Sequence, residues 1–489
     1  MPMRRFEANK SVDMLPSATA LLALVMAVSE AGEPAGNAAF PDRPAAGVTS
    51  ASDAASATAA RETIPTAVAG LERPLEVPPL SDGSNPFEGD FQTRQYILGD
   101  WGGARTGLAE SGLSLDVLAT QFYQGVASGG RQQAWDYGGK IDYLGNVDGG
   151  KAGLGQGFFV NMHAETRFGT AVNNIDGLLT PSNIAMMFPE PDGSITAITG
   201  LKLVQALSED FALFIGKINT LDEYPLRYGM FNSNPMERPG LSGFMNTSLV
   251  FNPIVARTVP YSGAAAGGVI LMDGAPVFSL TVFDPQERAA TGMQDLFANG
   301  MTIVPDFIWR TSLFDRPGIV NLGGTYSSRK YRSFDPAAYL AIPPALLLDS
   351  ANTPLETGSW CVYSNLYQSL WVDEADSARN WGVFGQFGLS DGNPNPILYT
   401  TNVGVAGRGM RGRRLDSMGM GFFYVGLSEE YKQLAAPILP QQNESGVELF
   451  YNYAISPSSR ITTDLQIATP STQRFDTVII PGLRLQLLF

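Results

Sequence analysis

Apolar and polar residues alternate along several segments of the chain, and residues 157–169 show the pattern most fully. The apolar positions there are Phe158, Val160, Met162, Ala164 and Phe168, and the polar positions between them are Asn161, His163, Glu165 and Arg167. Because successive side chains of a β-strand point to opposite faces, the segment predicts a strand with one apolar face and one ionic face. Phe159 is an exception at the start of this strand.

The same alternation returns three times near the C-terminus, in residues 447–455, 459–467 and 483–489. The polar positions include Glu448 and Asn452, then Arg460 and Asp464, then Arg484 and Gln486. Phe450 breaks the pattern in the first of these segments. A soluble sandwich also alternates, with its apolar face turned inward. Large charged groups in the middle of strands instead favour a polar face that lines a wet lumen, as in an outer-membrane barrel.

The length of the patterned region sets the size of the barrel. Residues 91–489 would supply about 16 strands with about 25 residues for each strand and its connection, which suits a porin-type barrel. The chain also ends on an aromatic residue, Phe489, at the end of an alternating segment. The sequence therefore predicts an all-β fold, a transmembrane antiparallel β-barrel.

The N-terminal part is divided from the barrel by its composition. Arg4, Arg5 and Lys10 precede an apolar run at 15–28, and small residues follow it, so we expect residues 1–31 to be an export signal peptide. An N-terminal anchor helix is the alternative. Residues 32–90 are rich in Ala and Pro and lack the apolar side chains for a core, which predicts a disordered periplasmic leader. A coiled-coil arm is the rival, without heptads to support it.

Composition excludes several classes of protein. The formal net charge is -15, whereas nucleic-acid binding requires a basic surface. One cysteine, Cys361, cannot form an intrachain disulfide or a clustered-Cys metal site. One histidine, His163, leaves a Ser-His-Asp hydrolase only if it is the base. We therefore expect no catalytic residue, no metal and no cofactor, and interpret His163 as a solvated residue of the lumen.

The inward-facing charged residues are the candidates for contact with a solute. Strand alternation puts Glu165 and Arg167 on one inner face, Arg460 and Asp464 on another, and Arg484 on the last. These side chains either touch the solute or form ion pairs that tune the electric field of the lumen. A separate basic cluster of four arginines, Arg408, Arg411, Arg413 and Arg414, either binds anionic lipid or lipopolysaccharide or forms a solvated loop.

Five blocks of sequence, in order, resemble the OprB-type family of carbohydrate-selective porins. The blocks are GDWGGAR at 99–105, ALFIGKINTLD at 212–222, WGVFGQFG at 381–388 with DGNPNP at 391–396, VELFYN at 447–452, and PGLRLQLLF at 481–489. The family-like blocks add Arg105, Lys217 and Asn219 to the candidate pore-lining residues. For Arg105 and the neighbouring Trp101, a structural role at the periplasmic mouth is the alternative.

The resemblance implies passive diffusion of monosaccharides or small oligosaccharides across the outer membrane of a Gram-negative bacterium, through trimers or monomers. It implies sugars, outer-membrane lipid and lipopolysaccharide as partners. A porin of broad or non-sugar selectivity is one alternative, and an outer-membrane enzyme or adhesin is another. The excess of acidic residues argues against selectivity for anions, and the lone histidine argues against an enzyme.

Overall fold

The computed structural model describes residues 85–190, 193–223, 243–340, 342, 352–377, 379–409 and 413–489. Within these residues the chain forms sixteen strands, and each pairs antiparallel with the next. They are β1 Leu113–Gly125, β2 Trp135–Asp148, β3 Phe158–Gly169, β4 Ile195–Ala206, β5 Phe211–Asn219, β6 Ser262–Met272, β7 Ala275–Phe283 and β8 Thr302–Leu313. They continue with β9 Arg316–Arg332, β10 Leu355–Val372, β11 Asn380–Ser390, β12 Ile397–Arg408, β13 Ser417–Leu427, β14 Glu444–Ser456, β15 Ser459–Thr469 and β16 Val478–Leu488.

Pairing between the first and last strands closes the barrel. Leu118 of β1 lies opposite Leu488 of β16, and Tyr123 lies opposite Leu483. The backbone N–H of Phe489 donates to the carbonyl of Val117 at 2.8 Å, so the terminal residue is part of the seam. Closure removes the unpaired strand edges that a bilayer does not tolerate. The predicted fold class and the predicted number of strands are confirmed.

Helices in the described residues are short. The α-helices are α1 Ala104–Glu110, α2 Thr247–Val250, α3 Pro336–Leu340 and α4 Glu429–Ala435, and 3₁₀ turns lie at Trp101–Gly103, Val172–Asn174, Ile184–Met186 and Pro253–Arg257. None of the helices in the described residues has the length and apolarity needed to cross a membrane.

The two ends of the barrel differ in the length of their connections. At the end that holds the C-terminus, turns of two residues join β6 to β7, β8 to β9 and β14 to β15. At the other end, residues 170–194 join β3 to β4 and residues 220–261 join β5 to β6. Outer-membrane barrels have short periplasmic turns and long extracellular loops. We therefore call the first end periplasmic and the second end outer.

The observed strands keep the predicted alternation. In β14, Val447 and Leu449 are exposed on the outer face, and Glu448 is buried inside the barrel. The two apolar exceptions in the sequence also point inward, where each has an apolar partner. Phe159 packs in a buried cluster with Val204 and Phe214, and Phe450 lies against a loop inside the lumen.

Two predicted segments fall partly or wholly outside the described residues. These are the signal peptide at 1–31 and the leader at 32–90, of which only residues 85–90 are described. Residues 85–112, before the first strand, form turns and α1 at the periplasmic end. Gly102 and Gly103 have φ values of 71° and 96°, a left-handed conformation that favours glycine and permits the tight entry into α1.

Candidate functional site: the loop-filled lumen

The β5–β6 loop, residues 220–261, is described at 220–223 and 243–261, and these parts lie inside the barrel. It leaves the wall at β5 and returns at β6, yet its middle part binds β14. In the closed ring of sixteen strands β6 and β14 are eight places apart, so they are diametrically opposite. A 16-stranded barrel is wide enough to hold an aqueous channel. The described part of the loop therefore lies inside the lumen, between opposite walls of the barrel.

Polar contacts fix this loop to the far wall. The carboxylate of Glu448 accepts the backbone N–H groups of Met245 at 2.6 Å and Asn246 at 2.9 Å. Arg484 donates from Nη2 to the carbonyl of Gly243 at 3.0 Å, and Asn402 donates from Nδ2 to the carbonyl of Ser248 at 2.5 Å. Each contact satisfies a backbone group that would otherwise be buried without a partner.

Aromatic packing accompanies these hydrogen bonds. The ring of Phe244, on the loop, lies 4.9 Å from the ring of Phe450 in an edge-to-face arrangement and 5.4 Å from the ring of Phe384. Leu249 and Ile254 of the same loop belong to the same buried cluster. Burial of such side chains contributes about 1.5–3 kcal/mol each. The loop is thus held by apolar packing as well as by charge.

The β3–β4 loop, residues 170–194, enters the lumen beside it. Glu444, on β14, accepts the backbone N–H groups of Leu179 at 2.6 Å and Thr180 at 2.9 Å. Gln466 donates from Nε2 to the carbonyl of Ser182 at 2.9 Å. The two loops also bind each other, because the N–H of Ile184 donates to the carbonyl of Met245 at 3.0 Å.

A buried ionic cluster lies on β2 and β3, four and five strands away from β14 around the ring. Lys140 forms ion pairs with Glu165 and, at 3.4 Å, with Asp142. The imidazole of His163 lies 2.9 Å from a carboxylate oxygen of Asp142 through Nε2 and 2.9 Å from one of Asp222 through Nδ1. Since Asp222 belongs to the β5–β6 loop, the cluster holds the start of that loop.

The end of the same loop is held by Glu165 and Glu287. Tyr261 donates its hydroxyl to the carboxylate of Glu165 at 2.6 Å, and its backbone N–H donates to Glu287 at 2.6 Å. Burial and the adjacent charge of Glu165 raise the pKa of Tyr261 well above its ordinary value. The hydroxyl therefore stays protonated and remains a donor. Burial also raises the pKa of Glu287 to about 7.

Three donors of the ionic cluster have the spacing of a metal site. Ligand atoms of Asp142, His163 and Glu165 lie within 4.8 Å of one another. However, the Lys140 ammonium already pairs with both carboxylates of this group. The cluster therefore contains its own cation, and its geometry supports an ion-pair network. The expectation that His163 is solvated is wrong, because its side chain is 2% exposed.

Comparison with known proteins agrees with this architecture. The family model described as carbohydrate-selective porin, OprB family, matches residues 132–489. The chain belongs to the OprB family. The high-pH structure of Pseudomonas putida OprB is similar at a TM-score of 0.70 and 17% identity, covering 82% of this chain and 100% of that chain. The low-pH structure of the same protein is similar at a TM-score of 0.51 and 15% identity, covering 81% of this chain and 99% of that chain. No curated protein sequence matched.

For an OprB-family chain, the position of each predicted pore-lining residue can now be stated. Glu165, Arg167, Arg460, Asp464 and Arg484 point into the barrel as strand alternation predicted, but all five are buried. Arg167 donates from Nε to the carbonyl of Met186 at 2.8 Å, and Arg484 binds the β5–β6 loop. Several of these side chains thus bind the infolded loops. Their contact with a passing solute stays a prediction.

Arg105 lies at the periplasmic seam. Its Nη2 donates to the carbonyls of Leu115 at 2.8 Å and Phe489 at 2.9 Å, and its guanidinium lies 3.7 Å from the ring centre of Tyr96. Asp116 is 3.5 Å away. These contacts attach α1 to the first and last strands, which is the structural role that the sequence offered as the alternative.

Lys217 and Asn219 occupy different surroundings. Asn219 is buried and donates from Nδ2 to the hydroxyl of Tyr261 at 2.9 Å. Lys217 follows the exposed residues Phe211, Leu213 and Ile215 along β5 and is itself partly exposed, and its contact with a solute stays a prediction. Its ammonium donates to the carbonyls of Ala289 at 3.1 Å and Thr291 at 3.4 Å, in the outer loop after β7.

The basic cluster lies at the periplasmic end, between β12 and β13. Arg413 pairs with Asp416 at 2.6 Å, and Arg414 pairs with Asp376 at 2.5 Å, whereas Arg411 lies outside the described residues. Lipopolysaccharide would contact the outer end of a barrel with this orientation. The position therefore argues against lipopolysaccharide binding by this cluster, and the acidic partners support the solvated turn.

Sequence reasoning did not select Glu444, Lys140, Asp142, Tyr261 or Asp222, and placed Glu448 only on a polar strand face. The inward direction of the strand residues could have been predicted from alternation, which puts Glu444 and Glu448 on the same face of β14. Their partners lie in loops without periodicity. Nothing in the sequence pattern indicates that a loop more than 200 positions away binds Glu448.

Proposed function

We propose that this chain is an outer-membrane porin through which monosaccharides or small oligosaccharides diffuse passively. The observation that supports it is a closed barrel with a polar interior, narrowed by two infolded loops, in a chain of the carbohydrate-selective porin family. Diffusion down a gradient requires no covalent chemistry and no energy coupling. The chain therefore needs a passage of suitable width and lining, and no catalytic group.

The inner wall of β9 to β12 suits a neutral, hydroxyl-rich solute. Asn321, Asn365, Gln386 and Asn402 lie directly opposite one another on four successive strands. Asn365 donates to Asn321 at 2.7 Å, and Asn402 donates to Gln386 at 2.8 Å. Amides offer both donors and acceptors, and so does a sugar hydroxyl. An uncharged amide row of this kind would favour a sugar over a salt ion wherever the infolded loops leave it in contact with the solute.

Liposomes that contain the purified protein test the proposal. We expect rapid swelling in an isotonic solution of glucose, slower swelling in maltose-type oligosaccharides, and no swelling in a polymer too large for the lumen. The physical reason is that rate falls as a solute approaches the width of the passage. Protein-free liposomes are the control. Liposomes that stay sealed to every sugar, with the barrel folded, would contradict the proposal.

The second candidate is a porin for charged small solutes, and the ionic groups inside the barrel favour it. Lys140, Arg167, Arg460 and Arg484 face inward together with Glu165, Glu448 and Asp464. Because positive and negative groups are interspersed, we expect the sugar porin to show a reversal potential near zero in a salt gradient. A large reversal potential of either sign would favour the charged-solute alternative.

Location and assembly follow from the same proposal. An exported barrel of this family resides in the outer membrane, with residues 1–31 removed as a signal peptide and residues 32–90 left as a periplasmic leader. N-terminal sequencing of the mature protein tests the first boundary. Homotrimers and monomers are both compatible with the family, and the mass of the detergent-solubilised barrel distinguishes them.

A further inference from the structure

Strand β14 carries two buried carboxylates, and each binds a different infolded loop. Glu444 accepts N–H groups from Leu179 and Thr180 of the β3–β4 loop, and Glu448 accepts N–H groups from Met245 and Asn246 of the β5–β6 loop. The two glutamates are four residues apart on the inner face of the strand. One strand therefore provides the attachment point for both loops.

The chemistry of these contacts makes them strong. Each buried carboxyl group accepts two N–H hydrogen bonds in surroundings of low dielectric, where such bonds are stronger than in water. Both side chains are 0% exposed, so water does not compete for the N–H groups. If the carboxyl group were removed, two buried backbone donors would lose their acceptor, which disfavours the docked loop.

The two loops also form one unit. The N–H of Thr247 donates to the carbonyl of Pro181 at 3.0 Å, and the N–H of Ile184 donates to the carbonyl of Met245 at 3.0 Å. The contact between the loops therefore lies directly beside the segment that Glu448 binds. Release of either glutamate should loosen the other loop as well, although less.

We propose that Glu444 and Glu448 are positioning residues for permeation, which set the cross-section of the passage by holding both infolded loops against β14. The expected consequence, selection of solutes by size, rests on the proposed porin function. The structural part does not rest on it, because the position of a loop across the lumen governs the flow of salt ions as well as of sugars.

Single-channel recording of Glu448→Gln in a planar bilayer tests the proposal. Glutamine keeps the size of the side chain but has only one acceptor oxygen, and its amide NH2 faces a backbone N–H that needs an acceptor. We expect the salt conductance to rise about twofold or more, because the loop no longer stays on the far wall. We also expect larger oligosaccharides to enter liposomes faster. Resistance of the barrel to detergent at room temperature is the check that the variant is folded.

Two further variants separate loop attachment from a change of lumen charge. Asp306→Asn removes a carboxylate of the inner wall that binds Asn321 at 2.9 Å and Tyr363 at 3.0 Å, both on barrel strands. It should leave the conductance near that of the original chain. Glu444→Gln should also raise the conductance, because it releases the β3–β4 loop from β14. An equal rise in Asp306→Asn would mean that charge and not loop position sets the flow, and would overturn the proposal.

A reporter on the loop gives an independent measurement. Ser248→Cys introduces a thiol at a position that is 3% exposed, in a chain whose own Cys361 is also buried. A membrane-impermeant thiol reagent should label Ser248→Cys slowly alone and much faster in combination with Glu448→Gln. Unchanged labelling and unchanged conductance in the folded variant would refute the proposal.

Failure to fold does not prevent the test. If Glu448→Gln does not fold, Glu448→Asp keeps the charge, shortens the side chain by one methylene, and should show the same rise to a smaller extent; a folded aspartate variant with unchanged conductance would again overturn the proposal. Failure of the porin proposal looks different. Liposomes with the original chain would then exclude sugars, while salt conductance still reports whether Glu448 holds the loop.

Discussion

Replacement of Lys140 by methionine is expected to destabilise the barrel by about 3–5 kcal/mol, because it leaves buried carboxylates without their cation. The Lys140 ammonium pairs with Glu165 and lies 3.4 Å from Asp142, and both acids are 0% exposed. Methionine preserves most of the side-chain volume, so the loss is electrostatic. Glu165 also accepts the hydroxyl of Tyr261, so the end of the β5–β6 loop should loosen together with the wall.

Equilibrium unfolding in urea, with the barrel in lipid vesicles, measures this loss. Lys151→Met is the matched control on the same sheet: Lys151 is 47% exposed in the turn after β2 and lies 3.8 Å from Asp148. Exposed pairs of this kind contribute about 1 kcal/mol or less. If Lys140→Met unfolds at the same urea concentration as Lys151→Met, the buried cluster does not stabilise the barrel through its charges.

The sequence was sufficient for the barrel because alternation is a local property. A strand with one lipid-facing side and one polar side must repeat every two residues, and a single clear segment such as β3 shows the rule. The apolar exceptions Phe159 and Phe450 indicated contacts inside the barrel. An aromatic residue on the polar face of a strand requires a buried partner, and for Phe450 the partner is Phe244 of the infolded loop.

The lumen could be predicted only in part. Alternation gives the direction in which Arg167 and Arg484 point, and the structure agrees. It does not reveal what lies over them, because the β3–β4 and β5–β6 loops have no periodic pattern and bind strands far away in the sequence. The sequence therefore offered Arg484 only as a solute contact or as part of an ion-pair network, although it binds Gly243 on a loop 241 positions away.

Acidity should control the attachment of the β3–β4 loop, since that loop contains the buried carboxyl group of Asp176. Burial, together with the nearby charge of Glu444, raises the pKa of Asp176 from 3.8 to about 7, against hydrogen bonds from Ser182 and Leu178 that lower it. Oδ2 accepts the hydroxyl of Ser182 at 2.5 Å, and Oδ1 accepts the N–H of Leu178 at 2.9 Å. The docked loop thus prefers the protonated acid.

The sign of the effect follows from the two pKa values. An exposed aspartate loses its proton near 3.8, whereas the docked one keeps it to about 7, so the contribution to docking is complete below pH 3.8 and is lost as the pH rises through about 7. The difference between the two pKa values, 3.8 and about 7, corresponds to about 4 kcal/mol. We expect single-channel conductance at constant salt to be steady below pH 3.8 and to become larger and noisier as the pH rises from 3.8 to about 7.

The variant Asp176→Asn decides whether this group is responsible. Asparagine is neutral at every pH; its oxygen can accept the Leu178 N–H and its NH2 can donate to the Ser182 hydroxyl, so the conductance of this variant should stay nearly constant across the same range. Glu287, whose pKa is about 7 as well, holds the end of the β5–β6 loop, and Glu287→Gln reports its separate share. Should Asp176→Asn keep the full pH response while Glu287→Gln abolishes it, the acid-sensitive attachment belongs to the β5–β6 loop. A response that survives in both variants together would show that neither buried carboxyl group controls the passage.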